Sequence, residues 1–486
     1  MARVFHHPRL QDLIEDVEEY RRGGYHPVHL GDIYEGRYKI VHKLGNGGFS
    51  TTWLARDVAG NHYCALKILK TEETALCTEL HALQRLADIQ TDHPGKSHIR
   101  SLVANFIIEG PNGQHTCLVT DVAGPSLSSV YNVPGCGFAA GARRLRGDLA
   151  RPVVKQVVQA VDFLHSQNVC HGDLTLPNVL LKLKPMDDWT EEEVYERFGT
   201  PNKETLVAAT NAEAGDFAPR YVVEPAGMPA SEYLTHDVLL VDFGQTFQFD
   251  SPPKAEDIGV PFMYCAPETL FESKYDVASE IWSLACVLFE IRAGNPLFTS
   301  LMGGKDEIIQ QMVQMGGKLP RHWWEAWEQR HVCFDEDGKP LKEWPNGIAM
   351  AQEYPIAKMV EDIGSEDEEK ALSGPCAPLL EPFDTRVPGD EAEMMSELLT
   401  GMLKWAPKER STVAAVLCHP WVPAERTSTV LGDATQPIQL EMASSQDVNH
   451  RAESPAEPSL PVASSGLSRQ DHTRGDLERG VLEKLS

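Results

Sequence analysis

Two strand-like runs, Tyr38 to Leu44 and Thr51 to Arg56, flank the glycine-rich turn Leu44-Gly-Asn-Gly-Gly-Phe-Ser50. Cys64-Ala-Leu-Lys67 follows as a third strand. From Thr74 to Ala87 the residues Leu76, Leu80, Leu83 and Ala87 recur at helical spacing. A second helical face runs through Val154, Val157, Val158, Val161 and Leu164/His165. The apolar run Val238-Leu-Leu-Val241 reads as a strand, and Glu280 to Glu290 as a buried helix. Ahead of the first strand, Ile14, Val17 and Tyr20/Arg21 give a short helical trace. Thr190-Glu-Glu-Glu193 predicts a capping box and Gly199 a helix stop. His322-Trp-Trp-Glu-Ala-Trp327 is an aromatic cluster expected to anchor its helix. After Trp421 no Phe, Trp or Tyr occurs, and the polar remainder is expected to be disordered.

Chemistry enters at five places along this pattern. A lysine inside an apolar strand is costly unless it is paired. Glu79 lies on the flank of the following helix, so Lys67 and Glu79 form the expected ion pair; taken alone, Glu79 is an ordinary helix-border charge. His171-Gly-Asp-Leu-Thr-Leu-Pro-Asn178 puts Asp173 and Asn178 on one loop, and Asp242-Phe-Gly244 opens a turn after the strand at Val238. Further on stand Cys265-Ala-Pro-Glu268 and Pro407-Lys-Glu-Arg410.

This ordered set resembles the protein kinases. Tyr20-Arg-Arg-Gly-Gly-Tyr-His-Pro-Val-His-Leu-Gly-Asp32, Gly36-Arg-Tyr38 and Phe49-Ser50 resemble the SR-protein kinases in particular, which phosphorylate Arg/Ser-rich splicing factors. The resemblance runs from about Tyr20 to Trp421. It implies an α+β, two-lobed kinase fold: an arm over 1–30, a small lobe and hinge over 31–123, and a large lobe over 124–424. Insertions are expected at about 182–236 and 295–388, with a tail over 425–486.

The resemblance also implies ATP and Mg²⁺ as cofactors. ATP is expected beneath Leu44, Gly45, Gly47 and Ser50, with Thr52, Ala65, Thr120, Asp121 and Val122 around the base. Thr120 takes the gatekeeper position, and its small side chain is expected to leave the back of the pocket open. Lys67 would hold the α/β-phosphates, oriented by Glu79; Asn178 and Asp242 would bind the metal; Asp173 would orient the substrate hydroxyl. Glu268 and Arg410 would pin the substrate-side loop.

Three positions depart from the family pattern. Gly172 replaces the Arg that receives an activation-loop phosphate, which implies an enzyme without that switch. Thr175 replaces a Lys close to the transferred phosphate, removing a charge-stabilising donor. Glu280 replaces the Asp that braces the catalytic loop, and its extra methylene is expected to shift that brace. The reading is an active, slow enzyme, with a pseudokinase scaffold as the alternative. A small-molecule phosphotransferase is a third option, disfavoured by Ala266-Pro-Glu268 and Arg410.

A net charge of −27 disfavours direct nucleic-acid binding and suits a basic peptide substrate. The acidic stretches Asp335-Glu-Asp337 and Glu366-Asp-Glu-Glu369 lie in the second insertion. The ten cysteines show no C-x-x-C pair, which argues against zinc ribbons and a secreted disulfide framework. The start lacks a signal-peptide apolar stretch, and no run approaches transmembrane length. A monomer in the cytoplasm, the nucleus or both, without a membrane partner, is the expectation.

Overall fold

Six antiparallel strands build one sheet in the spatial order Ile33–Tyr34, Tyr38–Asn46, Ser50–Asp57, His62–Leu69, Gly113–Thr120 and Leu102–Gly110. The computed structural model describes residues 3–75, 77–131, 143–209, 215–300, 303–341, 351–365 and 374–424, without the side chain of residue 256. Leu76, the acidic run from Glu366 and the expected tail lie outside them.

The register places Thr52 opposite Lys67, Lys67 opposite Leu118, and Ala65 opposite Thr120. Both faces of the central strands are covered, while the edge strand Leu102–Gly110 keeps exposed positions. On one face Val41, Leu54 and Tyr63 pack against Met186, Val194 and Phe198. On the other, Ile40, Trp53, Ala55, Cys64 and Leu66 pack with Val28 and Val223. Much of that cover comes from the first insertion. Its helix Glu191–Phe198 has Thr190 as N-cap with a full capping box and Gly199 as C-cap. Its hairpin pairs Lys203–Thr205 with Tyr221–Val223.

The helix over Thr78–Asp88 buries Glu79, Leu83 and Leu86. The apolar spacing placed Ala87 on this face, but Ala87 is exposed and Leu86 points inward instead. At the foot of the cleft the large lobe starts a new strand pair. Val179–Leu183 pairs antiparallel with Leu234–Leu240. This pair reaches Leu183 and Leu234, so the inserted chain is the 184–233 stretch, shorter than the expected 182–236. Two helices form the large-lobe centre. Gly147–Ser166 buries its valine face, and Val277–Ala293 is buried from Ser279 onward. In the second insertion Trp323, Trp324 and Trp327 are buried; Trp323 Nε1 donates to Glu272 at 2.7 Å and Trp327 Nε1 to Asp306 at 2.8 Å. These tryptophans anchor their helix to the lobe.

The N-terminal arm contains no α-helix over Ile14 to Arg21, only a 3-10 turn at Val17–Glu19. So short a segment cannot support a helix by itself. Its order comes from tertiary contacts, with Phe5, Ile14, Val17, Tyr20 and Tyr25 packed against Val222 of the inserted hairpin. The arm is also stitched to that insertion by backbone: His6 N–H donates to Val207 O at 2.9 Å, and Ala209 N–H to Val4 O at 2.8 Å.

Beneath the arm lies a buried ion pair. Lys43, on the strand entering the glycine turn, meets Glu15, and Tyr20 Oη donates to the same carboxylate. Removing one member of such a pair leaves an uncompensated buried charge. Glu15→Ala should therefore destabilise the chain by about 3–5 kcal/mol, read from urea unfolding, and Glu15→Gln should cost less.

Candidate functional site

The strand pair under the cleft brings the two loop motifs together. Val179 lies opposite Leu240, and Val241 N–H donates to Asn178 O at 3.0 Å, so Asp242 emerges beside Asn178. Val241 O sits 3.0 Å from His171 Nε2, and the His171 ring packs edge-on to Phe243 at 5.0 Å. The Asn178 amide donates to both Asp173 O and Asp173 Oδ2 at 2.9 Å. That use of Nδ2 leaves the Asn178 amide oxygen as an acceptor. Asp173 Oδ1 is buried with no hydrogen-bond partner. Burial pushes the Asp173 pKa above the ordinary carboxylate range, against the pull of His171 and Asn178.

Glu280 holds this loop from below. One oxygen accepts from Gly172 N–H at 2.9 Å, and the other lies 2.9 Å from His165 Nε2. The longer side chain reaches both partners, so the brace is made. Gly172 itself has φ +82°, and a Cβ there would lie 2.0 Å from Gln245 O. The glycine is thus fixed by backbone conformation and close packing. Thr175 is buried, with no cationic side chain to offer.

Lys67 sits between two carboxylates, 2.6 Å from Glu79 and 3.0 Å from Asp242. Burial works against its charge, but the two carboxylates outweigh burial and raise its pKa. Asp242 is also penalised by burial, yet Lys67 wins and lowers its pKa. Asp242 has φ +66°, a left-handed conformation that is uncommon outside glycine. Such strain at a cleft points to function.

Above these groups is a cleft of about 680 Å³. Leu44, Gly45, Gly47, Ser50, Thr52, Ala65, Lys67, Glu79, Thr120, Asn178 and Asp242 all line it, while Asp173 lies behind Asn178 and does not. Asp121 and Val122 do not; Ala123 and Gly124 line it instead. Val122 packs with the inserted helix, beside Phe198 and Leu183. The space behind Thr120 is not open either. Arg100 fills it, donating to Thr120 Oγ1 at 2.6 Å and to Asp121 O at 3.3 Å. Burial lowers its pKa, against the pull of nearby Glu79, Asp121 and Asp242.

Other lining residues were also missed. Leu180 follows the catalytic loop on an apolar strand, a signal that could have marked it. Leu13 and the segment Glu224 to Pro229 reach the cleft from distant chain, and no local pattern announces them. Ala226 N–H donates to Lys43 O at 2.8 Å, which fixes that segment along the cleft.

On the substrate side, Arg410 grips Glu268 with two bonds of 2.7 Å and lies 5.2 Å above the Trp282 ring. Tyr264 Oη donates to buried Glu290 at 2.5 Å. Burial pushes Glu290 up to about 7, with the Tyr264 bond pulling the other way. Asp335 spends one carboxylate oxygen on its own turn, accepting from Asp337 N–H at 2.9 Å and Lys339 N–H at 2.8 Å. Glu336 and Asp337 are exposed.

The plug behind Thr120 has a direct test. Burying an aromatic ring is worth about 1.5–3 kcal/mol. An adenine nucleotide with a benzyl group on its exocyclic amine should therefore bind Arg100→Ala about tenfold tighter than the unaltered chain, measured by calorimetry.

The protein kinase domain model matches residues 38–190 and 230–422, and its break falls within the first insertion. The chain is 29% identical to Serine/threonine-protein kinase SRPK of Physarum polycephalum over 430 aligned positions, covering 84% of this chain and 91% of that one. It is 36% identical to SRSF protein kinase 3 of Homo sapiens over 172 positions, covering 34% of this chain and 29% of that one. A crystal structure of a kinase domain matches at TM-score 0.53 and 18% identity, covering 82% of this chain and 99% of that one, and it bears on the fold alone. With the ion pair, the loop carboxylate and the Glu268–Arg410 clamp all assembled, the chain belongs to the protein kinase family and is similar within it to the SR-protein kinases.

Proposed function

We propose that this protein is an active ATP- and Mg²⁺-dependent serine/threonine kinase acting on basic, Arg/Ser-rich proteins such as splicing factors. The observation that carries the reading is Asp173. Its Oδ2 is held by Asn178, which lines the cleft, while Oδ1 is buried and unpartnered. An orphaned carboxylate oxygen is costly. A substrate hydroxyl donating to Oδ1 would satisfy it and be oriented for attack.

The donor set fits a magnesium ion, a hard cation that takes oxygen ligands. Asn178 offers its amide oxygen and Asp242 a carboxylate lowered in pKa. Bound there, the ion would offset charge on the transferred phosphoryl group. Lys67 would hold the nucleotide phosphates, kept in place by Glu79. The scaffold alternative has less support, because none of these side chains is missing or turned away. Thr175 lowers the expected rate, since one cationic donor is lost at the phosphate.

The substrate class rests on charge and on the named activity of the similar kinases. A net charge of −27 would steer basic peptides toward the enzyme. Among the described residues no helix is long and apolar enough to cross a membrane. A monomer acting in the cytoplasm or nucleus is part of the same proposal.

Asp173→Asn should lower phosphoryl transfer by about 100-fold or more while Mg-ATP binding is kept. Asp242→Asn should weaken Mg-ATP binding itself. Radiolabel transfer to a mixed Arg/Ser peptide and calorimetry check the two. If the unaltered chain transfers no more than Asp173→Asn on any basic or neutral peptide, the scaffold reading stands instead.

For the Arg/Ser peptide, KM should rise steeply with salt, because screening shortens the reach of exposed charges. Neutralising Glu336 and Asp337 together should raise that KM more than the KM of a neutral peptide, with little change in kcat. Equal KM for both peptides at low salt would remove the case for basic substrates.

A further inference from the structure

The glycine turn over the cleft is held by the N-terminal arm through one hydroxyl. Tyr25 Oη donates to Gly47 O at 2.7 Å. Gly47 N–H is used inside the turn, donating to Ser50 O at 3.0 Å. Both backbone groups of Gly47 are therefore engaged, one by the loop and one by residue 25.

Tyr25 is itself firmly placed. It is 2% exposed, and its ring lies 5.7 Å from that of Tyr20. The Lys70 ammonium sits 4.4 Å from the centre of its ring and 3.0 Å from Glu19 of the arm. Lys70 also closes the far end of the turn, with its N–H donating to Phe49 O at 2.9 Å. The Tyr25 backbone is fixed on both sides: its N–H donates to Glu19 O at 3.0 Å, and its carbonyl accepts from Asn112 Nδ2 at 2.5 Å. Asn112 Nδ2 also reaches Phe217 O of the first insertion at 2.7 Å. At the near end of the turn, Lys43 is locked to Glu15. Start, middle and end of the turn are thus each tied to the arm.

Glycine lowers the cost of close approach but raises the entropy that ordering must remove. Gly45, Gly47 and Gly48 have no atom within 4 Å of where a Cβ would stand, so nothing in the chain packs against them there. A turn this open needs an outside anchor if it is to be ordered before a nucleotide arrives. Preorganisation of that kind raises affinity by removing the ordering cost at binding.

We propose that Tyr25 is a positioning residue of the nucleotide site: its hydroxyl pre-sets the glycine turn for the phosphates, so that the arm forms part of the ATP site. This deepens the kinase reading above and rests on it. The ring alone supports packing, while the hydroxyl supports the turn, and Tyr25→Phe separates the two.

The experiment uses the full chain. Hydrogen exchange of the amides over 45–50 is measured without nucleotide, and steady-state kinetics follow with ATP and peptide. Tyr25→Phe should raise the exchange rates and raise KM for ATP about fivefold, the size of one hydrogen bond. Peptide KM should not move, and kcat should fall less than the ATP KM rises. Lys70→Met, which removes the cation over the ring, should act in the same direction. The double variant should fall short of the product of the two effects, because both act on one anchor. A purely structural role would instead reduce the active fraction and the melting temperature, with both KM values unchanged. Unchanged exchange over 45–50, or an ATP KM equal to or lower than that of the unaltered chain, would overturn the proposal. Asp242→Asn is the control for the kinase reading. If the unaltered chain and Asp242→Asn both fail to turn over ATP, that reading falls, while the exchange data still decide whether Tyr25 anchors the turn.

Discussion

The Lys67 ammonium ties three separate stretches of chain to one point. Strand register sets its position, between Thr52 and Leu118. Glu79 reaches it from a helix, and Asp242 from the end of the strand pair in the large lobe. Lys67 is partly buried, and the two carboxylates beside it keep its charge favourable. Small-lobe sheet, helix and large lobe are therefore held in a single relative setting by electrostatics as well as by packing. The cleft between them inherits its shape from that setting.

Around this centre, chain that looks accessory carries structural load. The first insertion covers one face of the small-lobe sheet with the helix Glu191–Phe198 and the other with its hairpin. The segment from Glu224 to Pro229 continues from there into the wall of the cleft. The arm packs on the hairpin and on the glycine turn at once. A small lobe has too little surface of its own to bury a sheet on both sides, and here the missing cover is borrowed from distant sequence.

Much of the site could be read in the chain because its residues sit in short, ordered motifs. Lys67, Glu79, Asp173, Asn178 and Asp242 are each defined by neighbours a few positions away. Arg100 was invisible for the opposite reason. Its role depends on its bond to Thr120 on another element and on the carboxylates gathered around it by the fold. At the hinge, Val122 is drawn into contact with the insertion, which no local pattern encodes. The arm failed as a helix on the same ground, since its order is tertiary. Likewise, the helical spacing chose Ala87 over Leu86, and the packing of the large-lobe core reversed that choice.

The backbone bonds that join Val4 and His6 of the arm to Ala209 and Val207 set a condition on the order of events during synthesis. Domains usually fold as they emerge, beginning at the N-terminus. Here the first strands cannot complete their surroundings when they leave the ribosome, because the hairpin that packs on the arm ends at Val223. By then the catalytic loop has already been made. The small lobe is thus finished late, and until that moment Ile14, Val17 and Tyr20 have no apolar partner in Val222. For this chain, the period of exposure to chaperones falls at its beginning, although its beginning is made first.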